Sequence, residues 1–264
     1  MLLTRKRIAM LMAEFLGVGV LTLIVLAVAQ SNVGIPYFIS IAAGLALITL
    51  VLVLGRVSGA HLNPAITIGL WSLRRIKALP ALGYIGAQVL GGIAAYYLYT
   101  YFIGSTWENL GAFEAPVLVA EAVGAFIFAM GWAAVIYQKY EGLKAAFVIG
   151  ISFTTGLLVA SIASVAAGVM SGGFINPAIA LGAQSLVWGS YALGPVLGAI
   201  IGFNLYALLF APASELAADE KKAMTATNTK TSSKTNADNS SAKSTKKATV
   251  SKTSKSTKTT SKKK

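Results

Sequence analysis

The chain has no cysteine, a single histidine, His61, and no aspartate before residue 219. Without thiols there are no disulfides, thiolate zinc sites, iron–sulfur clusters or cysteine nucleophiles. One histidine and no aspartate in residues 1–212 leave almost nothing from which to build a metal site or a Ser-His-Asp triad. No metal, cofactor or catalytic residue is therefore expected, and an enzyme is effectively excluded. Charge is scarce as well: 12% of residues are charged and 56% hydrophobic, where soluble domains run near ~25% charged. With a mean hydropathy of +0.70, the composition describes a membrane protein. The formal charge of +13 is mostly that of one end. Residues 213–264 hold 13 of the 22 basic residues and 4 of the 9 acidic ones, net +9. Residues 1–212 hold 9 basic and 5 acidic residues, net +4, so the charge does not make the body a nucleic-acid binder.

A helix needs ~20 apolar residues to span the hydrocarbon. Six stretches qualify, at about 8–28, 36–55, 79–103, 116–138, 144–166 and 188–210. Two shorter apolar pieces, about 63–73 and 176–186, are too short to span, and both begin with Asn-Pro-Ala. The first stretch carries a basic start, Arg5-Lys6-Arg7, and Ala27-Val28-Ala29 resembles a cleavage site. Its length and the Glu14 inside it argue for a retained span rather than a signal peptide. With six spans, Arg5, Lys6, Arg7, Arg56, Arg74, Arg75, Lys77, Lys139, Lys144 and the Lys-rich end all fall on one side. The opposite loops, about 29–35, 104–115 and 167–175, contain no Lys or Arg. The positive-inside rule then places a multi-pass protein in the cell membrane with both termini cytoplasmic.

Two domains are expected. Residues 1–212 form the membrane body, with halves at about 1–105 and 112–212. Residues 213–264 are a Lys/Ser/Thr-rich tail with no aromatic residue, too polar to offset its ordering entropy and so disordered. Such a tail can contact anionic lipid, bind RNA or another polyanion, or simply stay solvated.

The two short pieces belong to an internal repeat. Residues 55–73 read GRVSGAHLNPAITIGLWSL and residues 168–186 read GVMSGGFINPAIALGAQSL, with ten of nineteen positions identical. Glu14 in AEFLG and Glu121 in AEAVG echo each other more loosely. Three spans per half is an odd number, so the second half enters the membrane from the opposite side and the repeat is inverted. The fold class is an all-α membrane bundle of six spans plus two re-entrant half-helices whose starts meet near the bilayer centre.

Asn is a favoured N-cap and Pro a favoured first helical residue, so Asn63-Pro64-Ala65 and Asn176-Pro177-Ala178 are sharp helix starts. Irregular backbone at membrane depth survives only when buried in protein or lining a wet cavity. The loops before Asn63 and Asn176 are such backbone, and their carbonyls can line a path. Two facing helix N-termini place about half a positive charge each at the centre. The Asn63 and Asn176 amides add donors there. A neutral hydrogen-bonding solute is accommodated, a cation repelled and a continuous proton wire interrupted. The expected function is a passive pore with no chemical step.

The paired Asn-Pro-Ala, SGAHLNPAIT, AEFLG and AEAVG, Gln88 in GAQVLGG, and LGPVLGA in the last span together resemble the major intrinsic protein family, the aquaporins and glycerol facilitators, over about residues 8–210. The resemblance implies a right-handed six-helix bundle with two half-helices, a homotetramer with one pore per subunit, and water and small neutral solutes as partners. It also implies an outer filter, placed here at Ala43, Ser164, Gly173 and Ile179. The family's usual filter has an Arg directly after the second Asn-Pro-Ala, and Ile179 stands there instead. Glycerol facilitators continue with Arg then Asp, where this chain has Ile179 and Ala180. A small, uncharged filter implies a pore wider than a strict water channel, passing glycerol, urea, ammonia or hydrogen peroxide, with cation exclusion resting on the half-helix dipoles and the Asn amides.

Other residues each have two readings. Glu14 and Glu121 are intramembrane carboxyls, either a proton relay or structural acceptors for loop N–H groups; the resemblance favours the acceptors. His61 is a pore-loop residue or a pH sensor. Arg56 is a cation-repelling group at the inner mouth or a positive-inside anchor. The pairs Gly55/Gly59 and Gly168/Gly172 read as helix–loop crossings. The alternatives to a wide neutral pore are a strict water channel, a non-conducting structural member of the family, or a coupled transporter, which the missing coupling-ion residues disfavour.

Overall fold

The structure, a computed structural model, describes residues 4–31, 34–104, 106, 112–168 and 173–213. Thr4 opens α1 (Arg5–Ala29), its side chain accepting the Arg7 N–H at 3.4 Å. The basic triplet thus forms the first turn of the helix, where the sequence placed it ahead of a helix starting near residue 8. Five more elements follow: α2 (Pro36–Ser58), α3 (Pro64–Ser72), α4 (Ala78–Ile103), α5 (Ala115–Tyr137) and α6 (Gly142–Ala166). The chain then forms α7 (Pro177–Gly182), a π-helical turn (Gly189–Leu193) and α8 (Gly194–Phe210). Among the described residues six helices are long and apolar enough to cross a membrane, the last being Gly189–Phe210 with its π turn. Their outward positions are apolar, as at Leu45, Val53 and Leu82.

The last span opens wide because Pro195 has no N–H to return to the carbonyl four residues back. The Gly194 N–H instead reaches the Gly189 carbonyl five residues back. No sequence pattern had marked this turn.

The second short helix is also shorter than its expected range of 176–186. It stops at Gly182 in a left-handed turn, with Gln184 at φ 56°, the Ser185 N–H on the Ala180 carbonyl at 2.9 Å and the Gln184 N–H on the Leu181 carbonyl at 3.0 Å. The nine-residue α3 ends in the same way through Arg74 at φ 59°, with the Arg75 N–H on the Leu70 carbonyl at 2.9 Å. The six-to-one bonds of Ser185 and Arg75 satisfy carbonyls that a helix end leaves orphaned.

Within each half the first span packs on the third, α1 on α4 and α5 on α8, and α2 packs on α6 across the halves. Each short helix lies on the third span of the opposite half, α3 on α8 and α7 on α4. Two glycines allow the tight first-to-third crossings. A Cβ on Gly91 would stand 2.3 Å from the Phe15 carbonyl oxygen, and one on Gly198 would stand 2.0 Å from that of Ala122. Phe15 and Ala122 each directly follow the buried glutamate of their half. The crossings expected at Gly55/Gly59 and Gly168/Gly172 take another form. Gly55 meets only Val51 of its own helix, and Gly59 serves at φ 93° to end α2. Gly168 has open space around it and Gly172 lies outside the described residues.

The chain divides into two units, Met1–Ala211 and Pro212–Lys264. Every element above belongs to the first. The tail expected to be disordered lies outside the described residues except for Ala213.

Candidate functional site

The site is built on two loops held by the same device. In the first loop three successive N–H groups are taken up in order. Ala60 N–H donates to Ser58 Oγ at 3.0 Å, His61 N–H to Glu14 Oε1 at 3.1 Å and Leu62 N–H to Glu14 Oε2 at 2.8 Å. The second loop repeats the pattern at matched positions. Gly173 N–H donates to Ser161 Oγ at 2.9 Å, Phe174 N–H to Glu121 Oε1 at 2.7 Å and Ile175 N–H to Glu121 Oε2 at 2.6 Å. Leu62 and Ile175 are both fully buried and left-handed, at φ 48° and 44°. A non-glycine residue in such a conformation costs about 1–3 kcal/mol. The hydrogen bond from each strained N–H to a glutamate oxygen, with a second from the residue before it, holds the loop in that conformation.

Each loop then passes into a short helix. The Asn63 side chain accepts the Ala65 N–H at 2.8 Å; the Asn176 side chain accepts those of Ala178 at 3.1 Å and Ile179 at 3.5 Å. Pro64 and Pro177 occupy the first helical position, where a missing N–H is harmless. The other end of each amide crosses to the opposite half. Asn63 Nδ2 donates to the Ile175 carbonyl at 2.9 Å, and Asn176 Nδ2 donates to the Leu62 carbonyl at 2.8 Å. The residue preceding each Asn is thereby clamped at both ends, its N–H on a glutamate and its carbonyl on the other half's Asn. Both Asn residues are buried, and the two helix N-termini face each other.

The halves differ around this core. Glu14 accepts two further bonds, from Ser58 Oγ at 2.6 Å and Gln88 Nε2 at 2.8 Å. Gln88 Nε2 also reaches Thr67 Oγ1 at 3.0 Å, and Thr67 Oγ1 donates to the Asn63 carbonyl at 3.0 Å. His61 Nδ1 lies 3.2 Å from the same Thr67 oxygen. With the Thr67 proton on Asn63, the bond from His61 is assigned to the Nδ1–H tautomer, leaving Nε2 as an acceptor. Tyr84 and Trp132 present their rings to His61 edge to face, at 5.1 and 5.9 Å between centroids. In the second half Phe174 stands where His61 does and Ala180 where Thr67 does, so no such network forms there; Phe174 packs on Tyr191 at 5.2 Å instead.

The four positions expected to form an outer filter are all buried. Gly173 is bonded to Ser161 of α6 and fits against Ala160, one turn before Ser164. Ser164 turns its hydroxyl onto the Ala160 carbonyl of its own helix at 2.9 Å. Ala43 on α2 and Ile179 on α7 offer only apolar side chains. Arg56 is exposed in the last turn of α2. Among the described residues no three His, Cys, Asp or Glu side chains stand close enough to hold a metal ion.

The profile of the family described as "Major intrinsic protein" matches residues 2–117. Aquaporin Z of Photorhabdus laumondii is 31% identical over 232 residues, covering 76% of this chain and 97% of that protein. The chain belongs to the major intrinsic protein family. The glycerol uptake facilitator protein-like 6 of Lactiplantibacillus plantarum is 32% identical over 206 residues, covering 72% of this chain and 93% of that one. Among solved structures, the aquaglyceroporin from Plasmodium falciparum superposes with a TM-score of 0.63 at 22% identity, covering 80% of this chain and 99% of its own, which shows a shared fold. This major intrinsic protein is accordingly a multi-pass membrane protein with six spans.

Sequence reasoning passed over several residues of the site. Thr67 lies inside the repeat, and the repeat itself distracts from it because its partner position is Ala180. Gln88 was part of a motif without a role. Ser161, Tyr84 and Trp132 carry no local signal, since their partners lie on other helices.

Proposed function

We propose that this major intrinsic protein is a passive channel for water and small uncharged solutes, glycerol, urea, ammonia and hydrogen peroxide among them. The observation that carries the reading is the crossed pair of amide hydrogen bonds, Asn63 to Ile175 at 2.9 Å and Asn176 to Leu62 at 2.8 Å, which ties two capped helix starts together. Each amide commits one hydrogen to that bond and keeps a second, and the two N-termini add about half a positive charge each. A neutral oxygen can accept there, and a cation is repelled. Relatives carry the names of both aquaporins and a glycerol uptake facilitator, which supports water and glycerol alike as permeants here.

Around that centre, Glu14 and Glu121 act as structural acceptors, and the carbonyls near His61 and Gly173 offer a ladder to the permeant. Ala43, Ser164, Gly173 and Ile179 set an outer width without a fixed charge. Arg56 guards the mouth on the side of the termini. The protein sits in the cell membrane with both termini cytoplasmic, catalyses no reaction and assembles as a homotetramer. Residues 1–212 conduct. The basic tail contacts anionic lipid or another polyanion.

Purified protein in liposomes, followed by stopped-flow light scattering, tests this. Shrinkage in sucrose and re-swelling in glycerol or urea should both exceed those of empty liposomes, with no proton leak by a pH-sensitive dye. Rates equal to empty liposomes would sink the channel reading.

A further inference from the structure

The outer filter positions offer little with which to choose among neutral solutes. The other side of the Asn pair is different. There α2 ends, α4 begins and α5 ends, and three aromatic rings meet: His61 lies between Tyr84, at 5.1 Å and 66°, and Trp132, at 5.9 Å and 83°. Two of their polar tips are committed. The Tyr84 hydroxyl donates to the Ser58 carbonyl at 2.6 Å, and His61 Nδ1 is engaged by Thr67. The third is not. Trp132 is only 7% exposed, and its indole Nε1 has no hydrogen-bond partner among the described residues.

A buried donor without an acceptor is costly, and native structures keep few of them. Indole donates and never accepts, so its natural partner is an oxygen lone pair. On the neighbouring His61 ring, 5.9 Å away between centroids, Nε2 is left as an acceptor by the tautomer that Thr67 sets. Gly59, with no side chain, leaves that nitrogen uncrowded: even a Cβ there would stand 3.5 Å from it.

We propose that Trp132 is a specificity-determining residue of the channel, its indole N–H forming with His61 Nε2 a donor–acceptor subsite for the oxygen of a small neutral permeant. The inference rests on the channel reading above. Water or a polyol hydroxyl gives its proton to His61 and takes one from Trp132, matching both groups at once. Ammonium has no lone pair and leaves the indole unpaired. The bulk of the Trp132 ring adds a second limit on permeant size to the width set at the outer positions.

Three proteins separate the possibilities at equal incorporation in liposomes: wild type, Trp132→Phe and Trp132→Ala. Phenylalanine keeps a ring and removes the donor, and should slow water and glycerol about fivefold, a modest rise in barrier. Alanine should admit a four-carbon polyol that the wild type excludes. Wild-type rates in the Phe variant, with no wider solute range in the Ala variant, overturn the inference while leaving the channel intact. A wild type no faster than empty liposomes overturns the channel reading instead. A measurement on wild-type protein needs no variant to fold. With 15N-labelled tryptophan in detergent micelles, the Trp132 indole proton should exchange quickly with solvent and its resonance should move on adding glycerol. An indole that stays protected and unmoved overturns the subsite.

Discussion

Glu14 and Glu121 occupy the same place in two inverted repeats, yet Glu14 accepts four hydrogen bonds and Glu121 two. The extra partners at Glu14 are Ser58 and Gln88, both side chains able to reorient. Those at Glu121 are backbone N–H groups only. Glutamine replaces one acceptor oxygen with a donor. At both positions a backbone N–H is then left facing a donor, that of His61 or Leu62 at position 14 and that of Phe174 or Ile175 at position 121; only at position 14 is there a side chain, Gln88 or Ser58, that can turn to accept the new N–H. An unsatisfied buried group costs about 1–3 kcal/mol. Glu121→Gln should therefore lower the thermal unfolding temperature of the purified protein clearly more than Glu14→Gln. Equal shifts would mean that the surplus bonds at Glu14 provide no tolerance.

The glycines at the first-to-third crossings make a sharper test. Gly91→Ala and Gly198→Ala would each thrust a methyl to within 2.3 or 2.0 Å of a backbone carbonyl oxygen. Backbone cannot swing aside as a flexible side chain does, so overpacking should cost ~1–3 kcal/mol or more. Gly86→Ala, on the same helix as Gly91 but with nothing within 4 Å, should gain up to about 1 kcal/mol in helix propensity. Heat challenge followed by size-exclusion profiles separates the losses from the gain.

Arg74 offers a stabilising change. It is exposed and left-handed at φ 59° where α3 ends. Glycine there avoids a penalty of roughly 1–2 kcal/mol and gives back ~0.5–1 kcal/mol in chain entropy. Arg74→Gly should raise stability by a fraction of a kcal/mol to about 1 kcal/mol, read as a higher melting temperature, with Arg75 and Lys77 still supplying positive charge on that side.

Ile179→Arg tests the outer filter. On the proposed filter, a guanidinium at this position would narrow the path and add a fixed positive charge. Glycerol and urea entry should fall by about tenfold, equivalent to ~1.4 kcal/mol in the barrier, with water flow reduced far less. Unchanged glycerol entry would place the limiting width elsewhere, on the side of Trp132.

Much of this architecture is readable from local chemistry. Apolar runs of spanning length mark the six long helices, and Asn followed by Pro marks a helix start whatever its surroundings. The repeat around Asn63 and Asn176, identical at ten of nineteen positions, makes the inverted halves visible. What stayed hidden depends on partners distant in sequence. Nothing in a leucine or an isoleucine announces a left-handed conformation. Leu62 and Ile175 adopt it because carboxylates 48 and 54 residues away take their N–H groups. Ser161 and Trp132 gain meaning only once α5 and α6 are packed beside the loops. The Gly55/Gly59 spacing misled for the reverse reason, since a small-residue pattern shows that close approach is allowed, and here one glycine was needed for its backbone angle.

The crossed amides also have a consequence in time. Asn63 finishes its hydrogen bonding on Ile175, 112 residues further along the chain. At about 5–20 residues per second of synthesis, that acceptor does not exist until roughly 6–22 seconds after Asn63 is made. Through that interval the first re-entrant segment must wait in a membrane with its central amide and the Leu62 carbonyl both unanswered. The early half is thus a provisional structure, completed only when the late half is born.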